Sequence, residues 1–378
     1  MKIDGGTLQA TNLGALKIGS FAEVLDKIAA AQSLGDVRAL YEQAKPLATG
    51  APFRIHLVNV AFDAVVRLEG RGNALRDFGK QLREATLNAN AAVVRPKIDT
   101  QLAFAVPAAG ERAYDTSRAL FSSYMSMLAY EPDASIKSAG AVQGLGNLQI
   151  HASRASSARG FTASRADVGV VSLSGTADIR DLIMDARTCL KAHPSVGADG
   201  SASGRVHDGF AAQLDSLWPE LKKAIVRMRA EDPNRPILFT GHSLGGALAV
   251  LAAARAKMEG LFDGSRAVLH TFGQPKVGDA AFARTLDALL RDVPYTREVY
   301  RGDPVAQLAL DGMGFAHASS ALLAVHDGKG ATIIGDPAAL PPMPQTLDQG
   351  LDALRELRRR LGDHDELNYV AAAERNDR

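Results

Sequence analysis

The 378-residue chain reads as an α/β protein, a mostly parallel central sheet flanked by helices, with an α-helical N-terminal extension. Three observations carry that reading. Short apolar runs at 168–173, 237–240, 267–271 and 296–300 have the length and composition of buried strands. Helical stretches separate several of them, and strand alternating with helix is the pattern of a parallel sheet covered on both faces. The first hundred residues, in contrast, show helical periodicity alone.

In order along the chain, residues 20–45 place Phe21, Val24, Leu25, Ile28, Ala29, Leu34, Val37, Leu40 and Tyr41 at spacings of three and four. That repeat puts an apolar stripe on one side of a helix. An apolar run at 55–68 follows, then a charged stretch at 73–88 with Leu75, Phe78, Leu82 and Ala85 at helical spacing. Pro96 and Pro107 bracket a turn-rich passage, so a boundary is expected within 95–110. Residues 1–106 are read as a helical extension or domain and residues 107–378 as the α/β domain. A helix over 113–130 leads into the strands. The glycines of 197–204 and the four prolines of 327–344 mark loops, and a charged helix is expected over 347–361. No internal repeat is present.

Composition narrows the function. Hydrophobic residues at 46% and charged residues at 22% are ordinary for a folded globular chain and exclude a disordered or fibrous one. Lys+Arg 43 against Asp+Glu 42 leaves a formal charge of +1, which supplies no general attraction to nucleic acid or to an anionic bilayer. Cys189 is the one cysteine, so an intramolecular disulfide and a Cys-rich zinc site are both excluded. Residues 1–6 lack the apolar core of a Sec-type leader, and the longest apolar stretch, near 247–254, falls short of the ~20 residues that span hydrocarbon. The expectation is a soluble protein, cytoplasmic by default, with export lacking a cleaved leader as the alternative.

The chemistry is carried by Gly241-His242-Ser243-Leu244-Gly245, set directly between the apolar run that ends at Thr240 and an apolar helix. This is the context of a nucleophile elbow: the turn is so tight that Gly241 and Gly245 must lack side chains, and Ser243 stands at a helix N-terminus. There the backbone N–H groups and the helix dipole favour a developing oxyanion. His242 is a neighbour in the turn rather than the base, since adjacent residues on an elbow point in different directions.

A serine hydroxyl needs a base, and the base an acid, which on an α/β-hydrolase sheet follow in the chain order Ser, Asp or Glu, His. Downstream acids are Asp279, Asp303, Asp311 and Asp336. Asp303 is preferred, because it lies just past the strand ending at Tyr300, at the same C-terminal sheet edge as Ser243, with Pro304 stopping the strand. Downstream histidines are His270, His317, His326 and His364. His270 falls inside a strand. Spacing does not dismiss His317 or His326, but His364, in a loop after the last sheet element, sits where the final triad member belongs.

With these residues in view, residues 110–370 resemble a class 3 lipase, the family of the fungal triacylglycerol lipases. The resemblance rests on residues 126–130, on 158–162 and 170–176 leading to the oxyanion loop, on 181–185 at the start of a lid region, and on 206–210. After the elbow it continues through 271–279, the Asp303 turn, 314–317 and the Asp363-His364 loop. It implies Ser243, Asp303 and His364 as the triad, with His317 on a strand that carries a noncatalytic histidine in relatives. It also implies Thr176 and the N–H of Leu244 as the oxyanion hole. Ser174 stands where the family usually has arginine, so the loss of an anchoring ion pair beside the oxyanion loop is expected. The N-terminal hundred residues have no counterpart in the minimal family domain.

The function implied is hydrolysis of lipid carboxylic esters, of the triacylglycerol lipase or phospholipase A type, through an acyl-enzyme, with no metal or organic cofactor. Ile179, Leu182, Ile183, Met184 and Leu190 would form the apolar face of a short lid helix beside the oxyanion loop. The expected partners are a lipid or ester substrate, a transient membrane or micelle surface and, for the N-terminal segment, a docked protein. Nucleic acid is not expected. Two other readings compete: a lipase-like interaction or effector protein of weak or no activity, and a thioesterase or peptidase on the same sheet.

Overall fold

The apolar runs lie side by side at the centre of an eight-stranded sheet in the computed structural model. Described are residues 21–47, 57, 60–61, 64, 67–68, 100–108, 111, 113–153, 156, 158–175, 190–192, 204–307, 314–327, 332–335 and 366–376. The strands before the elbow are β1 (Gly146–Ala152), β2 (Arg159–Ser164), β3 (Gly169–Leu173), β4 (Leu190–Ala192), β5 (Arg205–His207) and β6 (Ile237–His242). After it come β7 (Ala267–Phe272), β8 (Gly278–Asp279), β9 (Tyr295–Tyr300), β10 (Phe315–Ala316), β11 (Leu322–His326) and β12 (Thr332–Ile334). The main sheet runs β1-β2-β3-β6-β7-β9-β11-β12, and a small second sheet runs β10-β8-β5-β4. β3, β6, β7, β9 and β11 are mutually parallel, whereas β1, β2 and β12 are antiparallel additions at the two edges.

Alternation along the strands sorts side chains onto two faces. Val171, Leu173 and Phe239 join the large core formed with helices α5 (Asp208–Glu231), α6 (Leu244–Met258) and α7 (Ala280–Leu289). Ser172 and Thr240, at intervening positions, face helix α3 (Thr116–Leu128): the Ser172 hydroxyl donates to Met125 O at 2.7 Å, and the Thr240 hydroxyl, which donates to His270 O at 2.8 Å, lies 3.3 Å from Ser122 O. Asp115 caps α3 by accepting from the Arg118 N–H at 2.7 Å. Helix α4 (Asp133–Val142) follows, and the short α8 (Pro304–Gln307) and α9 (Glu366–Asn376) come after β9. Buried strands covered on both faces explain why the central ones read as continuous apolar runs.

The chain divides into two compact units, Met1–Pro96 and Lys97–Arg378. In the first, the stretch expected as one helix over 20–45 forms two, α1 (Phe21–Ala30) and α2 (Leu34–Ala44). Ser33 explains the break, since its hydroxyl accepts from the Asp36 N–H at 3.1 Å and caps a new helix. Val24, Ile28, Val37, Leu40, Ala44, Leu57, Ala61 and Ala64 bury a separate core. In the second unit, residues 100–105 are tied down: Gln143 accepts from Leu102 N–H at 2.9 Å and donates to Thr100 O at 2.7 Å, and Arg118 reaches Ala105 O at 3.2 Å. The helices expected at 73–88 and 347–361, and most of the loops at 197–204 and 327–344, lie outside the described residues.

Candidate active site

β6 delivers the chain into the elbow at the C-terminal edge of the sheet. Ser243 has φ 58° and ψ −129°, a left-handed conformation that a non-glycine residue adopts at a cost of about 1–3 kcal/mol. The glycines make the turn possible: a Cβ on Gly241 would enter the backbone of Gly245 and come within 2.7 Å of Leu173 O, and one on Gly245 would overlap Leu173 itself. The Ser243 N–H donates to Phe272 O at 2.9 Å, which ties the turn to β7. Ser243 is 1% exposed, and its Oγ has no hydrogen-bond partner among the described residues. Leu244, the expected oxyanion donor, is the first residue of α6, where N–H groups have no partner within the helix.

β3 ends against the elbow. A Cβ on Gly175 would collide with the Tyr130 hydroxyl and lie 2.9 Å from His242 O and 3.2 Å from Ser243 Cβ, so only glycine fits beside the nucleophile. Ser174 is anchored without an ion pair: its N–H and hydroxyl donate to Arg159 O at 2.9 and 3.1 Å. Tyr130 donates to His242 O at 3.1 Å and lies 3.0 Å from His242 Nδ1, holding the residue before the nucleophile.

Asp303 is fully buried at the turn after β9. Its Oδ1 accepts from the N–H groups of Val305 and Ala306 at 2.8 and 3.3 Å, and its Oδ2 from the hydroxyl of Tyr369 on α9. Tyr369 also accepts from the Tyr300 N–H at 3.1 Å. Burial, and then the Asp303 carboxylate beside it, push the Tyr369 hydroxyl well above its ordinary value, so it remains a donor. The sequence reading missed Tyr369. Its one signal was an aromatic residue just after the His364 loop, opening an alanine-rich stretch.

The described histidines are all engaged elsewhere. His270 and His326 both hydrogen-bond Glu298, and His317 lies 3.0 Å from Ala306 O. Burial, then the neighbouring Arg297 charge, hold His317 well below its ordinary value. His207 caps α5, accepting from Phe210 N–H at 3.4 Å, and His151 bonds Thr162 at 2.8 Å. None of these histidines meets Ser243 Oγ. Asp279 caps α7 through the Phe282 N–H at 2.9 Å and pairs with Arg205, which takes it out of the acid role. His364, Thr176, Ile179, Leu182, Ile183, Met184, Asp311 and Asp336 lie outside the described residues. Leu190, expected on the lid helix, instead opens β4, because it pairs with His207 across a small antiparallel sheet. Among the described residues no group of three or more His, Cys, Asp or Glu side chains is arranged to hold a metal ion, and no helix is long and apolar enough to cross a membrane.

The chain is similar to known lipases over part of its length. The family described as lipase (class 3) matches residues 170–313. A lipase of Rhizomucor miehei is 35% identical over 146 residues, covering 38% of this chain and 38% of that protein. The secreted mono- and diacylglycerol lipase A of Penicillium camembertii is 30% identical over 150 residues, 40% of this chain and 46% of that protein. The chain thus spans about two fifths of the length of the curated relatives it matches. Among solved structures, a triacylglycerol lipase whose catalytic centre is described as a serine protease triad aligns with a TM-score of 0.54 at 21% identity, over 68% of this chain and 95% of that one. The mono- and diacylglycerol lipase of Aspergillus oryzae aligns with a TM-score of 0.53 at 20% identity, over 69% and 99%. Residues 170–313, from β3 through the elbow to beyond the Asp303 turn, thus match the class 3 lipase family, and the main sheet shares the fold of the solved lipase structures.

Proposed function

We propose that this protein hydrolyses carboxylic esters of lipids with Ser243 as nucleophile, His364 as base and Asp303 as the acid that orients it. Ser243 Oγ attacks the ester carbonyl while His364 takes its proton and returns it to the departing alcohol. Water then opens the acyl-enzyme through the same base. The N–H groups of Thr176 and Leu244 receive the tetrahedral oxygen, each donor worth about 3 kcal/mol in the transition state. The observation that carries the reading is the strained, enclosed Ser243 with an unpartnered Oγ at a helix N-terminus. Energy stored in such a turn is expected where a hydroxyl must be held out for chemistry, and it favours an enzyme over an interaction protein.

The other assignments follow from the same reading. With the six described histidines bound elsewhere or fixed beside Tyr130, His364 is favoured as base. Ile179, Leu182, Ile183 and Met184 are read from the sequence as the apolar face of a lid that would open on a lipid surface. The relatives' names, lipase and mono- and diacylglycerol lipase, favour glyceride substrates. The word secreted in one of those names favours export over a cytoplasmic location. The helical extension, residues 1–106 by sequence with a compact unit ending at Pro96, is read as a docking segment. A propeptide complex of Rhizomucor miehei lipase among the similar structures is in keeping with that role.

A panel of p-nitrophenyl esters, thioesters and anilides tests the reading. Wild type should cleave esters preferentially, with a rise in rate once a long-chain ester passes its critical micelle concentration, and Ser243→Ala should abolish turnover. Ester cleavage undiminished in Ser243→Ala would refute the assignment.

A further inference from the structure

Three parallel strands send one polar side chain each into a single buried cluster beneath the elbow and the Asp303 turn: His270 from β7, Glu298 from β9 and His326 from β11. All three are at most 2% exposed. His270 Nε2 donates to Glu298 Oε1 at 2.6 Å, and His326 Nε2 donates to Oε2. A carboxylate only accepts, so both imidazoles must present an Nε2–H. Tyr114 adds a third donor to Oε1 at 3.3 Å, and His326 Nδ1 lies 2.8 Å from Thr332 Oγ1. Val268, Leu269, Val299, Ala324 and Val325 are apolar buried positions of the same strands, beside the buried polar Thr271, Thr296 and Arg297. A packed apolar trio would avoid the several kcal/mol that desolvating a carboxylate costs, so stability alone is a poor reason for a charged cluster here.

Each arm of the cluster leads to one of the two catalytic loops. Glu298 O accepts from Gly273 N–H at 3.0 Å, and Phe272 O, one residue earlier, accepts from Ser243 N–H at 2.9 Å. His326 O accepts from the N–H of Arg301 at 2.7 Å, two residues before Asp303. The His270 ring stacks on Phe272 with centroids 5.0 Å apart, Phe272 packs edge-on against Tyr369 at 5.9 Å, and Tyr369 donates to Asp303. We propose that His270, Glu298 and His326 are positioning residues, an ionic clamp across β7, β9 and β11 that fixes the Asp303 turn relative to the Ser243 elbow. The inference rests on the hydrolase reading above. A shift of about 1 Å between such groups is enough to cost roughly 100-fold in rate, whereas short-ester binding does not depend on it.

Glu298→Gln tests the clamp, because an amide can accept from one imidazole but faces the other with a donor. Expected is a folded protein whose kcat on a short-chain ester falls roughly 10- to 100-fold with KM little changed, and whose amide hydrogen exchange at 299–306 accelerates. Glu298→Asp, which keeps the charge on a shorter arm, should recover part of the kcat. Thr332→Val, which removes the hydroxyl that meets His326 Nδ1, should move both readouts in the same direction by a smaller factor, and it decides the question should Glu298→Gln not fold. A folded Glu298→Gln with wild-type kcat and unchanged exchange overturns the clamp, as does wild-type behaviour of Thr332→Val beside an unfolded Glu298→Gln. Should the wild-type protein cleave no ester at all, the hydrolase reading falls, and exchange at 299–306 still decides whether the clamp holds the turn.

Discussion

Ser243 shows how a single residue's backbone is bought by its neighbours: its left-handed φ is tolerated because Gly241 and Gly245 let β3 and α6 close around it. Gly175 is under the same constraint from the other side. Gly175→Ala should therefore cost more than a generic loop substitution, pushing Tyr130 and the elbow apart and lowering ester turnover at least about 10-fold, with steady-state kinetics as the check. Tyr369→Phe removes one of the donors to a buried carboxylate without changing volume. The expected outcome is a loss of about 1–3 kcal/mol in stability by denaturant unfolding, together with a several-fold fall in kcat. Retention of both values would mean that the Asp303 carboxylate does not depend on this hydroxyl.

At the scale of elements, β9 is the strand whose chemistry departs furthest from an apolar core. Burial raises the Glu298 carboxyl, but the His326 charge and the hydrogen bonds of both histidines outweigh it and hold the group down to about 2, against an ordinary 4.5. A folded value below the unfolded one gives stability that is complete above about pH 4.5 and is lost as pH falls toward 2. The amount is on the order of 3 kcal/mol, so thermal unfolding followed between pH 6 and pH 3 should show a drop that Glu298→Gln lacks. Parallel slopes in the two proteins would contradict this. The same strand shows where sequence reading stops. The run was legible from its β-branched and aromatic residues, and the elbow was legible because sterics dictate its glycines. Nothing in Thr296-Arg297-Glu298 announces that the acid meets histidines 28 residues away on either side. β1 was unreadable for a related reason: as an edge strand with four of its seven residues exposed it lacks a continuous apolar run. The two- and three-residue strands of the small sheet are too short to carry any periodicity.

At the scale of the whole molecule, the N-terminal helices and the α/β unit each bury a core of their own. A fragment comprising residues 97–378 should accordingly unfold cooperatively and retain a reactive serine, as judged by circular dichroism and probe labelling. Failure to fold would show that the extension completes the α/β unit. The most direct test of the proposed Ser243, His364 and Asp303 triad is covalent. Reaction with a fluorophosphonate followed by peptide mapping should place one adduct on Ser243, with labelling slowed at least about 1,000-fold in His364→Ala. An adduct on another residue, or unchanged labelling in His364→Ala, would contradict the account.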